Sequence, residues 1–168
     1  MEEIATSYGL QSEVLVTSTT ENTYANATDS SWDEVVSTGK LVIGYTIFAP
    51  INYKENDELT GFDTELAKAV VEYLNTTYSL SLEVEFQIIQ WKAKETFLKN
   101  GTIDLVWNGM TITADREAEM CVSIPYLKNK QVAVVATEDV ENYKTKEDFS
   151  KAVIAVESGS AGEEVVKG

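Results

Sequence analysis

Between residues 41 and 120 the chain switches repeatedly between two hydrophobic periods, and this alternation restricts the fold more than any other feature. Residues 41–45 (Leu-Val-Ile-Gly-Tyr) are a short apolar run of the kind carried by a strand buried on both faces. Residues 61–75 then place Phe62, Leu66, Val70, Val71 and Leu74 on one helical face. Residues 82–89 alternate as a strand, and residues 92–100 read as a short helix with Gly101 at its C-terminal stop. Residues 103–107 read as a third strand and residues 114–120 as a third helix. Strand, helix, strand, helix, strand, helix predicts a parallel α/β sheet with helical crossovers. Upstream, residues 32–39 read as a helix stopped by Gly39. Downstream, residues 131–136 and 153–157 read as further strands, the second running through the turn 158–162 into a helix.

Three segments follow. Residues 1–31, rich in Ser, Thr, Asn and Glu without a sustained period, are expected to be a flexible leader. Residues 32–134 are expected to form an α/β domain, and residues 135–168 a hinge with the first strand–turn–helix of a second domain. So short an ending does not complete a parallel sheet. The second domain is therefore expected to be only begun, with strand edges that invite a homo-oligomer.

Composition closes several routes. With 168 residues of which 43% are apolar, the chain can bury a real core. Its net charge of −15 excludes nucleic acid as a partner, because phosphate binding needs clustered Lys and Arg, and it disfavours an anionic membrane surface. No histidine and a single cysteine, Cys121, exclude a Ser-His-Asp or Cys-His site, a Cys/His zinc site and a disulfide within the chain. No cofactor or metal is expected. No apolar run approaches the length of a membrane span.

Of thirteen basic residues only one, Arg116, is an arginine. Its planar fork can grip a carboxylate through two parallel hydrogen bonds, which a lysine cannot do. In Asp104-Leu-Val-Trp-Asn-Gly-Met-Thr-Ile-Thr-Ala-Asp-Arg116, a strand ends at Trp107, Asn108-Gly109 turns, and Thr113 is placed to cap the next helix. Arg116 then falls in the first helical turn, where free backbone N–H groups and the helix dipole also favour an anion. Spacing alone leaves a surface ion pair as an equal alternative.

Several motifs carry a family resemblance. Gly61-Phe-Asp-Thr-Glu-Leu66, continuing through Val70, Val71 and Leu74, resembles the signature helix of the solute-binding proteins of polar amino acid ABC transporters (family 3 of the bacterial extracellular solute-binding proteins). Lys40-Leu-Val-Ile-Gly44, Phe48-Ala-Pro50, Gly101-Thr-Ile-Asp104 and Gly109-Met-Thr-Ile-Thr-Ala-Asp-Arg116 agree with it in order and spacing, and Pro125-Tyr126 with Gln131-Val132 is similar to the segment leading to the interdomain hinge.

The resemblance implies a periplasmic-binding-protein-like type II α/β fold, with lobe 1 essentially present and lobe 2 only begun, that closes on one free L-amino acid. It implies that Arg116 clamps the ligand α-carboxylate, helped by Asn108, Gly109, Met110 and Thr111. Phe48 and Trp91 would wall the ligand side chain, and Ser160 with Ala161 would complete the carboxylate site from lobe 2. Read as residues alone, Phe48 and Trp91 could equally be core, Trp107 reads as core, and Asp63 and Glu65 read as first-turn acids favoured by the helix dipole. Partners implied are an ABC permease and a lipoprotein or periplasmic setting outside the cytoplasm, the signal segment being absent from this chain.

The chain departs from the pattern in places. Ala161 stands where a hydroxyl is usual, and Lys92 where an aspartate often follows the second aromatic. Tyr45-Thr-Ile-Phe48 lacks the acid that receives a cationic side chain, so a polar neutral or acidic amino acid is the expected ligand. Two alternatives stay open: a ligand-sensing domain of a receptor, and a dehydratase on the same fold, for which Glu157 would be the candidate acid.

Overall fold

In the computed structural model, which describes residues 1–15 and 30–168, the chain falls into two units, Met1–Asn129 and Lys130–Gly168. In chain order the first unit carries α1 (Glu2–Ser7), α2 (Ser31–Thr38), β1 (Lys40–Tyr45), β2 (Tyr53–Glu55), β3 (Glu58–Thr60), α3 (Phe62–Tyr78), β4 (Glu83–Ile88), α4 (Lys94–Lys99), β5 (Leu105–Val106) and α5 (Ala114–Glu119).

The expected parallel sheet forms in the order β4–β1–β5. β1 is central and pairs with β4 along its length, from Lys40 opposite Glu83 to Tyr45 opposite Ile88. On its other side Ile43 and Gly44 face Leu105 and Val106. β5 is shorter than the 103–107 run predicts, because the Asp104 carboxylate accepts the Val42 N–H at 2.7 Å and takes a place the ladder would otherwise use. β2 and β3 form a hairpin whose turn residues Asn56 and Asp57 both have positive φ, 51° and 66°. Asn and Asp tolerate that conformation at low cost, and it matches the twist of the flanking strands.

α3 starts where the sequence places it. Its first N–H groups are satisfied by the preceding loop, Phe62 donating to Pro50 and Asp63 to Ile51, each at 3.0 Å. It ends in a left-handed Ser79, beyond which the Asn75 amide clasps the backbone of Leu82 at 2.8 and 3.0 Å and directs the chain into β4. The apolar stripe of α3 is buried in two clusters. Ala67 and Val71 pack with Val35, Leu41, Ile43 and Leu82 against the sheet. Phe62 and Leu66 pack with Ala5 and Ile51. Trp107 touches both clusters, in keeping with its reading as core. Each such large side chain contributes roughly 1.5–3 kcal/mol by leaving water.

The start of the expected leader is instead folded. α1 has six residues, too short to be stable by itself, but Ala5 is fully buried against Phe62 and Leu66. Tyr8 follows, its hydroxyl 2.8 Å from Thr60 Oγ1 and accepting the Gly61 N–H at 3.2 Å. Val14 then bridges Leu127 in antiparallel sense, with Leu15 N donating to Tyr126 O at 2.9 Å. Ile4, Tyr8, Leu10 and Val14 have no single period, so composition hides a segment whose apolar residues reach the core one by one. Residues 16–29 of that leader lie outside the described residues.

The second unit contains 3-10 turns at Thr137–Asn142 and Lys146–Lys151 and one helix, α6 (Ala161–Lys167). Among its described residues no strand forms. The runs 131–136 and 153–157, expected as strands, form no ladder, with Val132 77% and Val134 91% exposed. Apolar β-branched residues favour extended backbone, but a strand needs a neighbour to take its N–H and C=O groups, and this unit supplies none.

Candidate functional site

Three parallel strands release the chain at one edge of the sheet, and the segments that follow them bring the expected residues of the first unit there. Asn108, after β5, is the hub. Its Oδ1 accepts from Thr46 N at 3.0 Å and from Asn52 Nδ2 at 2.8 Å, while its Nδ2 donates to Thr46 Oγ1 at 2.7 Å. Asn52 in turn donates to the Trp107 carbonyl at 3.1 Å and accepts from Thr64 Oγ1 at 2.7 Å. Asn52, Thr64 and Asn108 are buried, so each amide is committed to this network. The network ties the loop after β1, the first turn of α3 and the loop after β5 into one frame. Asn108 holds that frame together from within it.

Gly109 follows with φ of 60°, and its N–H donates to Asp63 Oδ2 at 2.6 Å. The other Asp63 oxygen accepts from the Tyr126 hydroxyl at 3.0 Å. Asp63 is fully buried, and burial pushes its carboxyl up from 3.8 to about 7, although both hydrogen bonds favour the ionised form. Burial and the adjacent carboxylate likewise raise the Tyr126 hydroxyl, which therefore stays a donor.

Half-buried Met110 and Thr111 lead to Thr113, whose hydroxyl caps α5 by accepting from Arg116 N at 3.4 Å. Arg116 is buried, and its Nη1 donates to the Thr111 carbonyl at 2.7 Å, which orients the plane of the fork. Beside it lies a second cation. Lys94 Nζ is paired with Glu95 Oε1 at 2.8 Å and sits 4.7 Å from the centre of the Trp91 ring. Burial by itself would raise the Glu95 carboxyl, but Lys94 and the charge of Arg116 more than offset this and lower it. Trp91 is buried, whereas Phe48 stands 46% exposed on a tight turn closed by Phe48 N donating to Asn52 O at 2.6 Å.

Ser160 and Ala161 open α6 in the second unit. The Ser160 hydroxyl accepts from Glu163 N at 3.1 Å, and the Glu163 carboxylate accepts the Gly159 N–H at 2.7 Å. Glu163 thus engages the Ser160 hydroxyl as an acceptor and the Gly159 N–H as a donor.

Residues 41–160 match the bacterial extracellular solute-binding proteins, family 3. The chain belongs to this family. Among its relatives is the arginine-binding extracellular protein ArtP of Bacillus subtilis, 32% identical over 127 residues that cover 74% of this chain and 46% of that protein. The L-cystine-binding protein TcyA of Bacillus subtilis is 31% identical over 127 residues, covering 73% of this chain and 44% of that protein. In structure, this solute-binding chain is similar to the ancestral amino acid-binding protein AncCDT-1, a precursor of cyclohexadienyl dehydratase. That match has a TM-score of 0.73 at 32% identity and covers 82% of this chain and 60% of the other. The family chain described here therefore has the periplasmic-binding-protein-like type II fold, and it spans about half the length of the two protein relatives it matches.

The sequence does not announce the contacts that Asp63, Asn52 and Tyr126 make at this edge of the sheet. Asp63 reads as a dipole-stabilising acid in the first turn of α3, and only its burial reveals another job. A Phe-Asp pair opening a helix, with a Tyr far downstream, carries no local signal for such a contact. The raised Asp63 value has a thermodynamic consequence. An acid that binds its proton more tightly when folded stabilises the protein below its unfolded value and loses that contribution as pH rises through its folded value. Stability is therefore expected to fall by up to about 4 kcal/mol between pH 4 and pH 7 on account of Asp63. Urea unfolding across that window should show the decline in the parent chain and a flatter profile in Asp63→Asn.

Proposed function

We propose that this chain supplies the carboxylate-binding lobe of an extracytoplasmic amino acid receptor serving an ABC importer. The observation that carries the reading is the Arg116 fork, buried, oriented by the Thr111 carbonyl and set behind a loop at the edge where the parallel strands end. A guanidinium has five N–H donors, and a ligand α-carboxylate takes two in parallel. Phe48 offers an exposed ring for the ligand side chain. An ABC permease in the membrane is the proposed partner. Lipid anchoring is proposed on the family resemblance alone.

The ligand proposed is a polar neutral or acidic amino acid. Although relatives are named for arginine and cystine, here Lys94 Nζ already sits over the Trp91 ring, so a cationic side chain at that face would meet an ammonium. A dehydratase reading has less to stand on, since Glu157, its candidate acid, is exposed and outside any helix or strand.

A thermal-shift panel of the L-amino acids tests the reading. A ligand at a hundred times its Kd should add about 2.7 kcal/mol of stability. Glutamine, glutamate or another neutral polar amino acid should raise the melting temperature, and arginine and lysine should not. A shift by arginine alone would overturn the ligand class, and no shift by any amino acid would overturn the receptor reading. Light scattering on the same sample reads the proposed self-association through the unladdered runs 131–136 and 153–157, and a monomer would contradict it.

A further inference from the structure

We infer that Asp63 and Tyr126 are positioning residues for the ligand loop, with Asp63 holding the Gly109 N–H and the Tyr126 hydroxyl holding Asp63. This rests on the reading of residues 108–116 as the carboxylate site.

The loop is pinned at both ends. At Gly109 the backbone N–H is drawn to Asp63 Oδ2 at 2.6 Å, and at Thr111 the carbonyl is drawn to Arg116 Nη1 at 2.7 Å. A single residue, Met110, separates the Asp63 pin from the Arg116 pin, so the aim of the Arg116 fork depends on where Asp63 puts the start of the loop. Asp63 can serve because it is itself fixed. It is fully buried, its own N–H donates to the Ile51 carbonyl at 3.0 Å, and Tyr126 closes its remaining oxygen at 3.0 Å. Tyr126 is set by the core, its ring stacked on Phe62 with centroids 6.3 Å apart and planes at 21°, and its carbonyl accepting from Leu15 N at 2.9 Å.

An acid that only served the helix dipole would do so equally well in solvent, where it carries no desolvation penalty. Burial with one oxygen on a loop N–H and the other on a tyrosine hydroxyl points to a defined acceptor role. Gly109 adds a reason for the pin. At φ of 60° its backbone adopts a conformation that glycine leaves readily, and without an acceptor the loop would sample others.

The test uses the whole chain labelled with 15N and two replacements. Asp63→Leu keeps the branched shape and removes the acceptor. Asp63→Asn retains an oxygen for the Gly109 N–H and an amide that can donate to the Tyr126 oxygen. In Asp63→Leu the Gly109 amide should lose its exchange protection, and the signals of Met110, Thr111 and Arg116 should move, whereas Asp63→Asn should restore both. Titrated with L-glutamine and L-glutamate as probes, Asp63→Leu should bind about tenfold more weakly, the worth of one misplaced hydrogen bond, with Asp63→Asn close to the parent.

If Asp63→Leu does not fold, Tyr126→Phe decides, because its ring can stay on Phe62 while the hydroxyl is lost; the same signals should move in the same direction. Unmoved signals from Gly109 to Arg116 in a folded Asp63→Leu or in Tyr126→Phe would overturn the inference, as would equal affinities of the Leu and Asn variants. Failure of the parent chain to bind either probe would count against the receptor reading instead, and the amide signals would still decide whether Asp63 positions the loop.

Discussion

Arg116→Ala is expected to weaken amino acid binding by about a thousandfold, the largest functional effect of any single substitution in the chain. Two charge-assisted hydrogen bonds to a carboxylate are together worth about 4 kcal/mol at a site shielded from water, and each 1.4 kcal/mol is a factor of ten in Kd. The side chain is buried, so its loss also leaves a hole behind the loop and removes the donor at 2.7 Å that orients the Thr111 carbonyl. Arg116→Lys keeps the charge and still loses the fork, because one ammonium cannot hold the Thr111 carbonyl and present two parallel donors. It should bind at least tenfold more weakly than the parent. Calorimetric titration reads both, and an Arg116→Lys variant with parental affinity would show that charge alone suffices.

The largest effect on stability is expected from Gly61→Ala, about 4 kcal/mol by chemical denaturation. Gly61 has φ of 123°, a conformation closed to residues with a side chain. A Cβ there would lie 2.3 Å from the Ile51 carbonyl oxygen and 2.7 Å from its carbon, both backbone atoms that cannot swing aside. Relief requires the 50–52 loop to retreat. That breaks the bonds from Phe62 N and Asp63 N that start α3, and it disturbs Asn52, on which the Asn108 frame depends. Stability and site geometry should fall together. A loss below about 1 kcal/mol would mean that the loop can move without harm.

The sheet and its helices were legible because their signals are local. The 41–45 run, the helical stripe from Phe62 to Leu74 and the glycine stop at Gly39 each express a period or a turn requirement readable over a few residues. Arg116, Thr113 and Gly109 were legible as a group for the same reason, since cap, turn and fork occupy one continuous segment. The rest depends on partners remote in sequence. Asp63 meets Gly109 across 46 residues and Tyr126 across 63, and no periodicity announces either pairing. Ala5 is buried only because α3 supplies the surface it meets. The runs 131–136 and 153–157 show the converse. Their residues favour strands, but without a neighbour to bond they form no ladder.

The loop from Gly109 to Arg116 is proposed to receive the α-carboxylate of an amino acid. The most direct test is a 15N-detected titration of the whole chain with the amino acid that stabilises it most, set beside the same molecule lacking its carboxylate. The amino acid should move the amide signals of Gly109, Thr111 and Arg116, and the decarboxylated amine should leave them in place. If the amine moves the same signals, or the amino acid moves only others, the carboxylate is not held there and Arg116 has a different role.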